Sequence, residues 1–286
     1  MPELPEVELA ARNLRRWTKG RRITAVHAAP AARRILRPGQ PRALKVVTGA
    51  RFRKVDRLGK HLLLTLEGTA APIGIWSHLG MTGKWLRRTA RDAVPGATRV
   101  QLELDDGSRL HYVDPRMFGR FRLVKDARFD EVAELKALGP DPLIDGIDVA
   151  RLHRGLQSTA IPVKVALLDQ TRLAGVGNIQ ASEALHRAAI DPRRPSRALS
   201  KAEVGRLARG ILKSIDYTLS TFAAAGADGD ATDVAYVEEP GTANPFLVYG
   251  RAGEPCPRCR KRRAGSVIQR IVQAQRATFF CPVCQR

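Results

Sequence analysis

The sequence predicts an α+β protein, with one helix and an antiparallel β-sandwich or barrel in its first half and helices in its second half. Three observations predict this class. Apolar residues recur at helical spacing after Pro5. Strand-like segments then dominate to about residue 124. Beyond Val124 the helical spacing returns, and strand-like segments reappear only near the end of the chain.

The first helix is predicted to begin near Pro5. Its apolar positions follow the helical period: Val7, Ala10, Ala11, Leu14 and Trp17. Proline suits a first helical turn, where its missing N–H has no partner to lose. Glu6 and Glu8 suit the positive end of the helix dipole.

The strand-like segments of the first half are RITAV, ARFRKVDR, HLLLTLE, PIGIWSHL, VQLEL, RLHYV and FGRFRLV. VQLEL and RLHYV flank Asp105-Asp106-Gly107-Ser108. An Asp-Gly pair adopts the positive φ angles of a tight hairpin turn readily, so this pair of strands is predicted to be an antiparallel hairpin.

The predicted helices of the second half are FDEVAELKALG, DVARLHRGLQ, PVKVALLDQ from Pro162, IQASEALHRAA and VGRLARGILKSIDYTL. Ser200 and Glu203 have the spacing of a capping box before the last of these. FLVYG, RIVQA and ATFFC are predicted to be short strands. The change of pattern predicts a hinge near residues 125–140.

The charge of the chain indicates a polyanionic partner. Its 286 residues carry 49 Lys+Arg against 28 Asp+Glu, a formal net charge of +21. Nucleic acid is the favoured partner, although an arginine-rich genome composition is an alternative source of basic residues. No signal peptide is recognisable, and no apolar run reaches the roughly 20 residues of a membrane-spanning helix. We therefore expect a cytoplasmic protein with reduced cysteines.

The four cysteines form two CxxC pairs, Cys256 with Cys259 and Cys281 with Cys284. Tetrahedral zinc accepts four thiolates, and each CxxC pair presents two of them, so one structural zinc ion is predicted. A redox motif is the alternative for one pair but does not account for both. The intervening segment KRRAGSVIQRIVQAQR is basic, which favours phosphate contact over a merely solvated surface.

The glycine-rich segment LAGVGN, residues 173–178, lies between two predicted helices. A dinucleotide-binding loop needs a third glycine and a preceding strand, and neither is present. The segment is therefore interpreted as a tight turn whose second helix begins near Asn178 and offers backbone N–H groups to a phosphate. A turn without ligand is the simpler alternative.

Six ordered motifs resemble those of bacterial formamidopyrimidine-DNA glycosylases: MPELPEVE, RLGKHLLL, HLGMTG, DPRMFG, LAGVGNIQASEAL, and VYGRAGEPCPRC with QAQRATFFCPVC. The resemblance spans residues 2–284. The sister family, endonuclease VIII, is similar in architecture, but Leu4 is typical of the formamidopyrimidine type.

The resemblance implies a fold and a domain order. It implies an N-terminal catalytic β-sandwich domain at 1–124, a hinge at 125–140, and a helix-two-turn-helix DNA-binding domain with a lesion-capping loop at 141–246. A zinc-finger β-hairpin follows at 247–286. DNA is expected to lie kinked in a cleft between the domains, and the protein is expected to be a monomer.

The resemblance also assigns the chemistry to the N-terminus. After removal of Met1, the Pro2 secondary amine would attack a deoxyribose and form a Schiff base, followed by β,δ-elimination. Glu3 is implied as the acid–base partner, and Glu6 as a residue that organises the lesion pocket. The alternative for both acids is stabilisation of the first helix dipole.

The remaining implied site residues contact DNA. Met81 and Phe118 would fill the space of the extruded nucleotide, and Arg116 would bond the orphaned base. Core packing is the alternative for Met81 and Phe118. Met117 stands where the family usually has a second arginine. The phosphate-contacting positions are Lys60, His78, Lys164, Asn178 and Arg276. Of these, Lys60 and Arg276 are counted among the catalytic residues. The alternative for Lys60 and Lys164 is an ordinary surface lysine.

The implied activity is excision of oxidised purines, 8-oxoguanine and formamidopyrimidines, with cleavage at the abasic site. The acidic segment near 224–244 departs from the family pattern where the lesion-capping loop is expected, which leaves the preferred lesion open. The alternatives are an endonuclease VIII-like enzyme for oxidised pyrimidines, a non-enzymatic zinc protein that binds damaged DNA, and an RNA-binding zinc-ribbon protein. The last of these fits the charge but leaves Pro2, Glu3 and the residues that would fill the vacated space without a role.

Overall fold

The structure, a computed structural model, describes residues 2–36, 43–68, 70–225, 244–261 and 265–286. The chain divides into two compact units, one extending to Lys136 and one containing Ala137–Thr221 and the C-terminal residues. Met1, most of the predicted lesion-capping loop (226–243), and residues 262–264 of the basic segment lie outside the described residues. Within the described ranges, no helix has both the length and the apolar character needed to cross a membrane.

The first unit contains one long helix, α1 at Leu4–Thr18, and two four-stranded antiparallel sheets. Its strands are β1 (Ile23–Ala28), β2 (Arg51–Leu58), β3 (His61–Glu67), β4 (Ile73–His78), β5 (Lys84–Arg88), β6 (Thr98–Leu104), β7 (Arg109–Val113) and β8 (Arg120–Lys125). The sheet orders are β1-β6-β7-β5 and β2-β3-β4-β8. The predicted helix and antiparallel sandwich are confirmed, and so is the β6–β7 hairpin.

The core of this unit draws on both sheets and on one face of α1. Its fully buried apolar residues include Leu14, Ile23, Leu62, Leu64, Ile75, Val100, Leu102, Leu110 and Phe121. Trp85, Tyr112 and Phe121 pack with ring centroids 5.5–5.8 Å apart. Burial of such side chains contributes about 1.5–3 kcal/mol each and fixes the strand register.

Strand β5 was absent from the sequence prediction. Its sequence, KWLRR, has only two apolar residues and little alternation. It becomes a strand because it pairs with β7 from Lys84↔Val113 to Arg88↔Arg109 and because Trp85 is buried. The predicted helix at 129–139 is also shorter, with a 3-10 turn at Phe129–Glu131 and helix α2 at Ala133–Lys136.

The second unit is helical and ends in a β-hairpin. Its elements are α3 (Val149–Gln157), α4 (Val163–Ala166), α5 (Asn178–Ala188), α6 (Lys201–Ala225), α7 (Pro257–Lys261), β9 (Gln269–Gln273) and β10 (Arg276–Phe280). The capping box before α6 is confirmed: Ser200 N–H donates to Glu203 Oε2 at 2.8 Å, and Glu203 N–H donates to Ser200 Oγ at 3.3 Å.

The predicted strand FLVYG is wrong. Leu247, Val248 and Tyr249 form an irregular segment, because their N–H groups donate to the Glu183 carboxylate at 2.8–3.0 Å. A buried carboxylate thus takes the donors that a neighbouring strand would have used. The helix predicted from Pro162 is also shorter than its sequence pattern, since α4 ends at Ala166.

Candidate active site and nucleic-acid interface

The N-terminal residues are held by the first turn of α1. Glu3 is the N-cap, and a capping box joins it to Glu6: the Glu3 N–H donates to Glu6 Oε2 at 2.9 Å, and the Glu3 side chain accepts from the Glu6 backbone. Pro2, Glu3 and Glu6 are all buried. The capping box therefore holds Glu3, the residue that directly follows Pro2, against the first turn of α1.

Glu6 has an acidity unusual for a glutamate. Its burial, together with the nearby charge of Glu3, raises its pKa from 4.5 to about 7. Stabilisation of a helix dipole by an exposed acid does not describe this carboxyl group. Near neutral pH, Glu6 can instead hold or release a proton beside Glu3.

Arg57 links α1 to the turn that precedes Lys60. Its Nε donates to Glu8 Oε2 at 2.8 Å, and its Nη1 donates to the Gly59 carbonyl at 3.1 Å. The Arg57 side chain is only 2% exposed. Lys60 follows Gly59 directly, so this ion pair positions the Lys60 turn against the helix that carries the N-terminus. Sequence analysis did not identify Arg57.

His78 lies at the end of β4 with a defined tautomer. Its Nδ1 accepts from the Gly80 N–H at 3.0 Å, so the ring hydrogen is on Nε2 when the ring is neutral. Burial, followed by the charges of Lys60 and Arg120, lowers its pKa to about 4. At neutral pH His78 is therefore an uncharged hydrogen-bond donor.

His61 pairs with His78 across β3 and β4, with ring centroids 4.9 Å apart. Its Nδ1 accepts from Trp76 Nε1 at 3.1 Å, and burial lowers its pKa to about 3. His61 is thus an uncharged ring that packs beside His78 and is held by Trp76. Sequence analysis gave it no role, since a histidine in a strand carries no distinctive signal.

Met81 and Phe118 lie on turns and are exposed, at 37% and 54%. The interpretation of these two residues as core is therefore wrong. The Arg116 guanidinium lies 4.9 Å from the Phe118 ring centroid, a cation–π contact. Met117, between them, has φ +55° and packs against the hydrophobic core, so its side chain points away from that contact.

Lys164 and Asn178 contact each other in the second unit. Lys164 is 0% exposed, and its Nζ donates to Asn178 Oδ1. The Asn178 amide donates to the Ala277 carbonyl at 2.9 Å. Lys164 is thus not an ordinary surface lysine, and Asn178 connects the start of α5 to β10.

Arg276 is the first residue of β10 and is exposed at the tip of the hairpin. It pairs with Gln273 across a two-residue turn, where Ala274 and Gln275 have φ angles of 46° and 61°. Two positive φ angles are typical of a tight hairpin turn. This turn presents Arg276 to a ligand approaching the hairpin.

The four cysteine sulfurs form one compact group, all within 4.8 Å of one another. Cys256 and Cys284 are 3.8 Å apart, and Cys259 and Cys281 are 3.4 Å apart. A tetrahedral zinc ion with Zn–S bonds of about 2.3 Å needs sulfurs about 3.8 Å apart. The residues fit one structural zinc ion, and four protein ligands leave no position for a reacting water.

His186, on α5, lies beside this metal centre and was not identified from sequence. Its Nε2 is 3.5 Å from Cys256 Sγ, and the residue is 2% exposed. Its buried Nδ1 has no hydrogen-bond partner among the described residues. An Nε2–H directed at the sulfur is therefore the tautomer that leaves no buried donor unsatisfied.

Three family models match the chain. The formamidopyrimidine-DNA glycosylase N-terminal domain matches residues 1–121, the formamidopyrimidine-DNA glycosylase H2TH domain matches 138–225, and a zinc finger found in these glycosylases and in isoleucyl-tRNA synthetase matches 253–286. Together the models extend over most of the chain, and their order is the order of the elements described above.

Relatives that match over the whole chain give the same assignment as the family models. The formamidopyrimidine-DNA glycosylase of Thermus thermophilus is 40% identical, covering 100% of this chain and 98% of the relative; that of Acidiphilium cryptum is 38% identical over 100% of both. A structure of the Lactococcus lactis enzyme with DNA containing N7-benzyl-Fapy-dG has a TM-score of 0.85, with 29% identity and 100% coverage of both chains. The Thermus thermophilus structure gives 0.78 at 37% identity, covering 99% of this chain and 98% of that chain. The chain belongs to the formamidopyrimidine-DNA glycosylase family.

Proposed function

We propose that this family member excises oxidised purines, 8-oxoguanine and formamidopyrimidines, through its Pro2 nitrogen and then cleaves the DNA strand at the same site. As a member of the family it is a base-excision-repair DNA glycosylase. The observation that supports the assignment of the nucleophile is the capping box, which holds the buried Glu3, directly after Pro2, against Glu6 at the start of α1.

The first chemical step is nucleophilic substitution at the sugar. With Met1 removed, Pro2 has a secondary α-amine; α-amino groups have a pKa of about 7.7–8.0, so part of the population is uncharged at neutral pH. The nitrogen forms a bond to C1′, and the bond from C1′ to the base breaks with its electron pair leaving on the base. The attacking nitrogen loses its proton to the departing base. Glu3 then supplies a proton to O4′ as the C1′–O4′ bond breaks, and the nitrogen lone pair forms the iminium that links Pro2 to C1′.

The iminium makes the C2′ hydrogen acidic, which allows the strand to be cut. Loss of that proton forms a C1′–C2′–C3′ conjugated system as the C3′–O bond breaks, which is β-elimination. Loss of a second proton, from C4′, breaks the C5′–O bond, which is δ-elimination. Water then releases Pro2 from the sugar fragment. Glu6 can exchange a proton with Glu3 between these steps, since its pKa is raised to about 7.

Extrusion of the damaged nucleotide precedes the chemistry. We assign Met81 and Phe118 to the space that it vacates and Arg116 to the orphaned base, since all three are exposed on turns. Unstacking a nucleotide costs a few kcal/mol, which such insertion offsets.

Phosphate contacts are assigned to residues of both units: Lys60, His78, Lys164, Asn178 and Arg276. Lys60 and Arg276 act closest to the reacting sugar. Exposed Arg276 is positioned by the zinc-bound hairpin, and His78 contributes a neutral donor. The net charge of +21 favours DNA at low salt through counterion release.

The proposed domain limits remain 1–124, 125–140, 141–246 with the lesion-capping loop, and 247–286. The proposed location is the bacterial cytoplasm, with the protein associated with the nucleoid and acting as a monomer.

Borohydride trapping tests the nucleophile. Duplex DNA with one 8-oxoguanine opposite cytosine should yield a covalent adduct that peptide mapping places on Pro2. Glu3→Gln should lower base release by about 10²–10⁴-fold, while exposed Glu67→Gln should match the parent protein. An adduct on a lysine side chain instead of Pro2 would overturn the mechanism.

A broader lesion range is the second candidate. A related structure of the Lactococcus lactis enzyme, with a TM-score of 0.85, contains DNA with an oxidised pyrimidine. A panel of duplexes, each with one defined lesion, distinguishes a preference for oxidised purines from a preference for oxidised pyrimidines. Faster excision of oxidised pyrimidines than of 8-oxoguanine would favour the endonuclease VIII-like alternative.

A further inference from the structure

Two turns of the first unit carry the exposed side chains assigned to the extruded-base site. The Met81 turn, residues 79–83, joins β4 to β5, and the Phe118 turn, residues 114–119, joins β7 to β8. These turns lie far apart in sequence. They are nevertheless joined by side-chain hydrogen bonds and by a close backbone contact.

Asp114 and Thr82 connect the turns by side-chain hydrogen bonds. Thr82 Oγ1 donates to Asp114 Oδ1 at 2.8 Å, and the Gly119 N–H donates to Asp114 Oδ2 at 2.7 Å. Thr82 Oγ1 in turn accepts from the Arg116 N–H at 3.3 Å. Asp114 is 0% exposed, so its bond to the Gly119 N–H is buried, and its bond to half-buried Thr82 is partly shielded from water.

The backbones of the two turns also touch. A Cβ at Gly80 would lie 2.5 Å from the Phe118 carbonyl carbon, and Gly80 has φ +61°. Any side chain there would separate the turns. Met117, with φ +55°, packs into the core and anchors the Phe118 turn between its two exposed neighbours. The two turns thus share one arrangement of backbone and side chains.

We propose that Thr82 and Asp114 are positioning residues that hold both turns in this arrangement before DNA binds, so that Met81 and Phe118 enter the duplex as one preformed wedge. The inference rests on the proposed role of those two side chains. Ordering two separate loops during base extrusion would lower the rate of that step, because the ordering entropy would oppose it. Because the Thr82–Asp114 bond orders the two turns before DNA binds, the extrusion step does not include this entropy cost.

Thr82→Val tests the inference, since valine keeps the shape of threonine and removes the hydroxyl. We expect kcat/KM for 8-oxoguanine excision from a duplex to fall about tenfold, equivalent to about 1.4 kcal/mol. Strand cleavage at an abasic site in a single-stranded oligonucleotide requires no wedge and should change less than about twofold. Stopped-flow fluorescence of 2-aminopurine beside the lesion should show the same slowing in the unstacking phase. Thr82→Ser should restore the parent values.

Thr89→Val is the matched control. Thr89 Oγ1 donates to Asp92 Oδ2, also at 2.8 Å, in an exposed turn elsewhere in the same unit. This variant should match the parent on both substrates. A loss confined to Thr82→Val therefore reports the place of the bond and not the general effect of removing a threonine hydroxyl.

Two results would overturn the inference: an equal loss on duplex and single-stranded substrates, or no loss on the duplex. Met81→Ala separates this failure from failure of the wedge assignment. If Met81→Ala slows duplex excision and Thr82→Val does not, the wedge stands and its positioning by Thr82 is wrong. If neither variant slows duplex excision, the wedge assignment itself is wrong.

Discussion

Replacement of Arg57 by methionine should destabilise the first unit by about 3 kcal/mol. The Arg57 and Glu8 side chains are 2% and 12% exposed and lie 2.8 Å apart. Removing one partner of a buried ion pair costs about 3–5 kcal/mol, because the other charge loses its compensation. Arg12 and Arg15 also contact Glu8, at 3.0 and 3.3 Å, which places the expected loss at the lower end.

Tryptophan fluorescence measures this loss in the relevant part of the chain. All three tryptophans, Trp17, Trp76 and Trp85, belong to the first unit, so urea unfolding followed by their emission reports that unit. With a urea m-value of about 2 kcal/mol per M, the midpoint should fall by about 1.5 M. The same variant should slow strand cleavage, since the Gly59–Lys60 turn loses its link to α1.

Arg53→Met is the matched control. Arg53 is on the same strand, is 65% exposed, and lies 3.9 Å from Glu67, so its loss should change the free energy of unfolding by less than about 0.5 kcal/mol. If Arg57→Met were equally mild, the buried pair would not support the fold, and our account of the Lys60 turn would be refuted. In the double variant with Glu8→Gln, the two losses should be less than additive.

Three further predictions concern acidity, packing and metal. Glu6 has a pKa of about 7 in the fold against 4.5 as its ordinary value, so its contribution to stability is complete below about pH 4.5 and is lost as the pH rises through 7. In Glu6→Gln, the free energy of unfolding in urea should therefore depend less on pH between pH 5 and 8. An unchanged pH dependence would contradict the assigned acidity. Glu183→Ala leaves one buried and two part-buried N–H groups without their acceptor and should cost about 3 kcal/mol. Calorimetry should show a lower melting temperature for this variant but not for exposed Glu254→Ala. Equal melting temperatures would contradict this role of Glu183. Metal analysis should find one zinc ion per chain and none in Cys256→Ser with Cys281→Ser, and a DNA affinity unchanged in that double variant would disconnect the zinc from the hairpin's contact with DNA.

Elements whose signals are local could be predicted from the sequence. The Ser200–Glu203 capping box, the Asp-Gly hairpin and the start of α5 at Asn178 each depend on residues a few positions apart. The cysteine pairs likewise predicted the metal centre, because the spacing within each pair is itself the chemical signal.

Elements that depend on distant partners could not be predicted. Arg57 meets a carboxylate 49 positions away, and Glu183 binds N–H groups 64 to 66 positions away. No pattern in either neighbourhood identifies the partner. Strand β5 failed as a prediction for the same reason, since its pairing with β7 outweighs its weak alternation. The roles of the individual site residues and the domain limits remain predictions that the experiments above address.

Helix α5 has a consequence for how the hairpin tip moves. Its first residue holds the Ala277 carbonyl, Glu183 holds residues 247–249, and His186 contacts Cys256. These attachments lie between Asn178 and His186, which are about 12 Å apart along the helix. Because α5 makes these contacts at several positions along its length, the hairpin cannot rotate about any single contact, and its movement requires displacement of α5. Arg276 should therefore sample little space before DNA arrives, with nuclear spin relaxation at the tip resembling that of the helix.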